Sequence, residues 1–330
     1  MIAKCVRYDS FGDPCVVLQV TDKKVDRPSD GELLVRVTAR PVNPSDLIPV
    51  RGAYAHRISL PGVPGYEGVG IVEDVGEAVS PAWLGKRVLP LRGEGTWQQY
   101  ARIPARLAVP VPDGVDDWAA AQLYVNPLTA WLTCTETLGP MRTDDVLVLN
   151  AAGSSLGTLY AQLAGILGFR LLALARGEEH REELLRLGAE RVEQDSDPSW
   201  PRAVAEMTNG RGAAAAVDCI GGPGALQLAA CVRPGGALLS LGLLSGLPID
   251  TARIVRDTGA VPKLFHLRHW NERATSEVWH AAFARLLSLA GSGRLALREP
   301  SAFFGLADVR NAVLAAEEAS RRRGKVMLIG

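Results

Sequence analysis

The most constraining stretch of this 330-residue chain is an unbroken apolar run, Asp145-Val146-Leu147-Val148-Leu149-Asn150, followed first by small residues and then by Leu156, Leu159, Tyr160, Leu163, Ala164 and Leu167. The run reads as a strand covered on both faces. The later positions fall on one face of a 3.6-residue period. The alternation continues downstream: a strand at 170–175, a helix at 179–187 stopped by Gly188-Ala189, a helix at 199–207, a strand at 214–220 and a helix at 225–231. A turn at Pro234-Gly235-Gly236 and a strand at 237–241 follow. Upstream, Asp116-Asp117 opens a helix through Ala121, and Pro127–Leu138 reads as another, broken by Gly139-Pro140. Repeated strand–helix–strand units imply an α/β, doubly wound parallel sheet with helices on both faces.

The first third has a different texture. Strands are expected at 1–6, 33–37, 69–75 and 87–90, separated by turn signals such as Pro28-Ser29-Asp30-Gly31, Asn43-Pro44-Ser45-Asp46 and Pro64-Gly65. Short strands with frequent turns indicate a compact β-rich domain. The tail from Asn271 carries two amphipathic helices, a turn at Gly291-Ser292-Gly293 and a strand, Lys325-Val326-Met327-Leu328-Ile329. That last strand completes the β-rich domain if it returns to it, which makes the domain discontinuous.

Charge narrows the partners. Lys plus Arg equals Asp plus Glu, 36 each, so the formal net charge is +0. A general nucleic-acid binder needs a basic excess. The basic run Arg321-Arg322-Arg323 closes a helical pattern, where positive charge complements the helix dipole. No apolar run reaches membrane-spanning length, and no signal-peptide core opens the chain. The five cysteines, Cys5, Cys15, Cys134, Cys219 and Cys231, are scattered and form no Cys-x-x-Cys pair. The expected location is a reducing cytoplasm, with no membrane partner.

The segment Asn150-Ala151-Ala152-Gly153-Ser154-Ser155-Leu156-Gly157 lies between a buried strand and a helix. Backbone N–H groups and the helix dipole meet a pyrophosphate at such a place. Ala152-x-Ser154-x-x-Gly157 stands where G-x-G-x-x-G is usual, and Ser154 or Ser155 can donate to phosphate. A tight turn that binds nothing is the alternative. The second strand ends Leu174-Ala175-Arg176-Gly177 rather than in a carboxylate. Arg176 suits a ribose 2′-phosphate, which points to NADPH in preference to NADH. Glu178 and Glu179 leave NADH open, unless they form the first turn of the next helix. Gly221 and Leu243, just past two later strands, join the cofactor candidates.

These residues carry a resemblance over essentially the whole chain. Gly12-Asp13-Pro14, Asn43-Pro44-Ser45-Asp46, Pro64-Gly65-Tyr66-Glu67-Gly68-Val69-Gly70, Asn126-Pro127-Leu128-Thr129-Ala130-Trp131 and Leu187-Gly188-Ala189 resemble segments of the medium-chain dehydrogenase/reductase superfamily. The resemblance implies a discontinuous GroES-like catalytic domain, 1–121 and 271–330, around a Rossmann dinucleotide-binding domain, 122–270. Zinc-dependent members place Cys, His-Glu and Cys near positions held here by Asn43, Tyr66-Glu67 and Val125, so the chain resembles the zinc-free branches. No metal site is expected. His266 and His269 would point to opposite faces if their segment is a strand. Two zinc-free groups fit: quinone oxidoreductases, and 2-enoyl thioester reductases similar to the mitochondrial trans-2-enoyl-CoA reductases. Gly12-Asp13-Pro14, the Asn-Ala-Ala-x-Ser-x-x-Gly turn, Asn126–Ala130, and Asn43–Asp46 followed by Gly52-Ala53-Tyr54 resemble the second group, in which Asn is usual at the position of Gly153.

That group implies NADPH-dependent reduction of the C=C bond of an α,β-unsaturated carbonyl compound. The residue matching Tyr54 is its catalytic tyrosine. A phenol has a reference pKa of about 10 and can donate a proton at neutral pH. The alternative for Tyr54 is a loop tyrosine covering apolar surface. Asn43, the second catalytic candidate, and Asp46, placed in the substrate pocket, would orient the loop or the substrate, and turn capping is the alternative for both. Asn126, Thr129 and Lys325 join the cofactor set, with capping for Thr129 and a solvated strand-start lysine for Lys325 as alternatives. Phe265 and Trp270 line the pocket or pack the core. A small-molecule or acyl-thioester substrate and a homodimer are the expected partners. A non-catalytic, crystallin-like NADPH-binding protein is the reading from another class.

Overall fold

The computed structural model describes residues 1–319 and 324–330. The basic run Arg321-Arg322-Arg323 lies outside the described residues. The chain forms two compact units, Met1–Val125 with Ala274–Gly330, and Asn126–Arg273. The expected joints were at 121/122 and 270/271.

In chain order the strands are β1 (Ile2–Arg7), β2 (Gln19–Lys24), β3 (Glu32–Pro41), β4 (Val69–Val75), β5 (Arg87–Leu89), β6 (Tyr100–Pro104) and β7 (Val109–Pro110). The second unit contributes β8 (Val146–Leu149), β9 (Arg170–Ala175), β10 (Arg191–Gln194), β11 (Ala213–Asp218), β12 (Val232–Ser240) and β13 (Val261–Leu264). The first unit closes with β14 (Pro300–Gly305) and β15 (Lys325–Ile329).

The second unit is a six-stranded sheet ordered β10-β9-β8-β11-β12-β13, with every pairing parallel. This is the doubly wound order expected of a Rossmann domain. The winding reverses between β8 and β11, and ligands of such sheets bind outside the carboxyl ends of the strands at that reversal. All four residues of β8 are buried. Val146, Val148, Leu172, Leu174 and Leu238 pack against Trp200 and Val204 of the helix Trp200–Thr208 and Leu228 of the helix Gly224–Ala230. β11 begins with four alanines, three of them buried. Alanine favours helices in isolation, and here burial between helical layers overrides that preference.

Two local expectations are corrected. Pro234-Gly235-Gly236 lies within β12 and does not precede it. Ala213 pairs with Val232 but Ala215 with Ala237, so the turn residues mark an irregularity in the ladder, with Gly235 at φ +77°. His266 and His269 do not diverge. The chain turns into the helix Leu267–Arg273, which brings their ring centroids within 5.4 Å.

The first unit holds the hairpin β1–β2 and a seven-stranded sheet ordered β14-β15-β3-β4-β5-β7, with β6 on β3. β15 runs antiparallel to β3 and parallel to β14, which makes the unit discontinuous in sequence. Leu33, Val35, Val72, Val88 and Ile103 form one core. Val6, Leu47, Val50, Trp97, Val313, Val326 and Leu328 form another. No helix among the described residues is long and apolar enough to cross a membrane.

Candidate active site

In the second unit the phosphate turn grows out of the end of β8. Asn150 is buried there, and its amide is committed internally. Nδ2 donates to Asp218 Oδ1 at 2.6 Å, and Oδ1 accepts the Cys219 N–H at 2.7 Å. This ties the ends of β8 and β11 together, so Asn150 shapes the turn. Ala151 then takes a left-handed φ of +50°. Ser154 caps the helix Ser155–Leu167, its hydroxyl oxygen accepting the Gly157 N–H at 3.1 Å. The N–H groups of Ser155 and Leu156 have no backbone partner among the described residues. They are the orphan donors on which an anion can settle.

Both glycines of this turn are required by packing. A Cβ on Gly157 would lie 2.2 Å from the Ala152 carbonyl oxygen, so the helix approaches the turn as closely as backbone allows. A Cβ on Gly153 would lie 2.5 Å from the His180 ring. That imidazole fills the space of a side chain at 153, which accounts for glycine where asparagine is usual in the resembling group. His180 was not among the expected site residues. It follows the second strand by five positions, and nothing local marks it.

Arg176 is exposed just past β9 and has no hydrogen-bond or ion-pair partner among the described residues. The two carboxylates after it are turned to neighbours. Glu178 accepts from Gln194 Nε2 at 2.9 Å, and Glu179 lies 3.6 Å from His180 Nε2. Both belong to the 3-10 turn Glu178–His180 that opens the next helix. Gly221 sits at φ +77° with its N–H on the Asp218 carboxylate, 3.1 Å to each oxygen. Leu243 is exposed. Asn126 and Thr129 lie on the helix Asn126–Leu132, which continues as a π turn, Thr133–Thr137. There Thr133 donates to the Thr129 carbonyl and shares a hydrogen bond with the Tyr160 hydroxyl of the helix Ser155–Leu167. Trp270 is buried, with its indole N–H on Glu136 at 3.2 Å, and Phe265 is half-buried beside the end of β13.

In the first unit a second group assembles from distant positions. Asn43 starts the helix Pro44–Val50. The Asp46 carboxylate accepts the Asn43 N–H at 2.8 Å and the Tyr66 N–H at 3.1 Å, so Asp46 does cap this turn. Burial pushes its carboxyl up to about 7, nearby Glu67 adding to the rise and the N–H bonds opposing it. Glu67 is buried as well. Its Oε1 accepts from Asn43 Nδ2 at 2.8 Å, and its Oε2 takes the N–H groups of Tyr124 and Val125 at 3.0 and 2.7 Å. Gly65 and Gly68 flank it where side chains would strike Trp97 and the Ala39 carbonyl oxygen.

Lys325 completes the group. It is buried, and its ammonium donates to Asn43 Oδ1. The solvated-lysine alternative is therefore corrected: the Val42 N–H bonds the Val326 carbonyl at 2.9 Å, which draws the start of β15 inward beside Asn43. Among the cofactor candidates, Lys325 alone lies in the first unit. Tyr54, half-buried, follows the same helix, with the Arg57 guanidinium 3.8 Å above its ring centroid. Glu67 and Arg57 were not expected as site residues. Glu67 is one carboxylate in a glycine-rich turn, and its three partners are 24, 57 and 58 positions away.

Residues 29–113 match the alcohol dehydrogenase GroES-like domain, and residues 155–279 match the zinc-binding dehydrogenase domain. The mitochondrial enoyl-[acyl-carrier-protein] reductase of Xenopus tropicalis is 32% identical over 256 residues, 76% of this chain and 72% of that one. The chain belongs to the medium-chain dehydrogenase/reductase superfamily. A Bacillus thuringiensis protein named for NADPH:quinone reduction superposes with a TM-score of 0.97 at 50% identity, covering 100% of this chain and 99% of that one. A mycobacterial member complexed with NADPH superposes with a TM-score of 0.88 at 26% identity, covering 99% and 100%. Despite the second domain's name, no group of three or more His, Cys, Asp or Glu among the described residues can hold a metal ion.

Proposed function

We propose that the chain is a zinc-independent reductase that uses NADPH, in preference to NADH, to reduce the C=C bond of an α,β-unsaturated carbonyl compound, with a 2-enoyl thioester as substrate. The observation that carries this reading is Tyr54, a half-buried phenol under a guanidinium, on a segment anchored by Asn43 and Asp46. The similarity to an enoyl-[acyl-carrier-protein] reductase supports it.

The second unit fits the cofactor. The Ser155 and Leu156 N–H groups and the Ser154 hydroxyl would hold the pyrophosphate, with room left by Gly153 and Gly157. Arg176 would hold the 2′-phosphate. Bound NADPH supplies a hydride for the β-carbon. The protein's task is to stabilise charge on the carbonyl oxygen and to return a proton at the α-carbon. Tyr54 donates to that oxygen or delivers the proton, and Arg57 keeps a positive charge on the phenol face as it does so.

A quinone acceptor is the second reading, favoured by the 50% identical Bacillus protein. Turnover of NADPH with crotonyl-CoA and with a quinone separates the two. Tyr54→Phe is expected to lower kcat on crotonyl-CoA by about 10²–10⁴-fold with NADPH affinity unchanged. Unchanged kcat would remove Tyr54 from the mechanism, and tight NADPH binding without turnover would favour a crystallin-like role. A homodimer would form along β13, the sheet edge where Val261 and Leu264 are exposed. The five free cysteines suit a cytoplasmic protein.

A further inference from the structure

The Asn43 side chain is held at both ends. Its Oδ1 accepts from the Lys325 ammonium, and its Nδ2 donates to the Glu67 carboxylate at 2.8 Å. This arrangement fixes the sense of the amide, because the flipped rotamer would set NH2 against an ammonium and oxygen against a carboxylate. All three side chains are buried, so water does not compete for these bonds. The three residues come from separate parts of the first unit: the start of the helix Pro44–Val50, the turn before β4, and the first residue of β15. One amide proton of Asn43 remains for another partner.

We propose that Lys325 and Glu67 are a positioning pair, a buried cation and anion whose function is to clamp the Asn43 amide in one orientation and fix the start of the segment that carries Tyr54. This rests on the reading that the Asn43–Tyr54 segment serves the reduction. The clamp gives Lys325 a task other than the expected direct contact with cofactor, since its ammonium is buried and donates to Asn43. It also gives Glu67 a task. Through Oε2 the same carboxylate takes the N–H groups of Tyr124 and Val125, so one side chain registers the Asn43 turn against the end of the first segment of the unit. Asp46 faces the same group and holds the Asn43 backbone N–H, so Asn43 is fixed by main chain and side chain together. Burial pushes Glu67 up and Lys325 down, each toward neutrality, while their opposite charges restrain both movements. Removing one partner alone therefore strands the other, and a test needs a neutral pair.

Lys325→Met, Glu67→Gln and the double variant are compared by thermal unfolding, NADPH titration and steady-state kinetics with whichever acceptor the wild type turns over. Lys325→Met alone is expected to lower Tm, and adding Glu67→Gln to recover it. In the recovered double variant kcat should fall by about tenfold to 100-fold, the size of effect a small misplacement produces, while the NADPH Kd is retained. Wild-type kcat with recovered Tm would make the pair merely structural, and a loss confined to the NADPH Kd would return Lys325 to the cofactor; either overturns the proposal. The wild type gives a second readout that needs no variant to fold. One Asn43 side-chain amide proton should exchange slowly with solvent by NMR, and fast exchange of both overturns the clamp. Wild type inactive on crotonyl-CoA but active on a quinone defeats the thioester reading and leaves both tests of the clamp in place.

Discussion

The phosphate turn of the second unit and the Asn43 cluster of the first are built in opposite ways. The turn is made of backbone: N–H groups with no backbone partner among the described residues, two glycines and a serine cap within eight consecutive residues. The cluster is made of side chains: two carboxylates, an amide and an ammonium, all buried, gathered from positions 43, 46, 67 and 325. A backbone site must leave space, so its essential property is small residues. A side-chain site must balance charge, so its essential property is complete pairing. The first kind is sensitive to added atoms, and the second to removed ones.

Removal should have the largest effect. Glu67→Ala takes away the acceptor of three hydrogen bonds and the counter-charge of Lys325. Breaking a buried pair in this way is expected to cost about 3–5 kcal/mol in urea unfolding at pH 7. A loss below about 1 kcal/mol, the size typical of an exposed pair, would show that the cluster is not charge-balanced as described.

Arg176→Ala removes a group with no partner of its own, so stability should hold and binding should change. NADPH affinity is expected to fall by about 1.5–3 kcal/mol, or about 10- to 150-fold, with NADH little affected. Equal losses for the two cofactors in calorimetric titration would contradict the 2′-phosphate role. Gly153→Ala tests added atoms: a Cβ pressed on His180 should cost about 1–3 kcal/mol in cofactor affinity or unfolding. His180→Ala in the same chain should recover most of that loss, and failure to recover would mean the clash lies elsewhere.

The last expected outcome concerns pH. The folded-state pKa of Asp46 is raised, to about 7. Its contribution to stability is therefore fully present below the unfolded value, near 4, and is lost as pH rises through about 7. Thermal unfolding should show this decline in the wild type and a flatter profile in Asp46→Asn over the same window. Parallel profiles would mean that another group titrates there.

The contrast also explains what could be read along the chain. The strand at 145–150, the turn after it, the helix face from Leu156 to Leu167 and the arginine at 176 lie close together and obey local rules, so the dinucleotide fold was legible from them. The return of the last strand was legible from its apolar run. β2, with Asp22, Lys23 and Lys24 among its six residues, and the short β13 gave no such signal, because their pairing comes from neighbours in the sheet. Lys325 reads as a strand-start lysine for the same reason: only β15 docking on β3 draws it beside Asn43.

The sequence by itself determined the alternation of strands and helices, the small residues of the phosphate turn and the absence of a carboxylate at the end of the second strand. Each depends on residues within about one turn or one strand of each other. Only the tertiary structure decided that His180 occupies the space over Gly153, that the Asn150 amide is spent on Asp218, and that Lys325 and Glu67 meet on Asn43. Those are contacts between residues 24 to 282 positions apart. They arise from sheet register and buried charge, which no local pattern encodes.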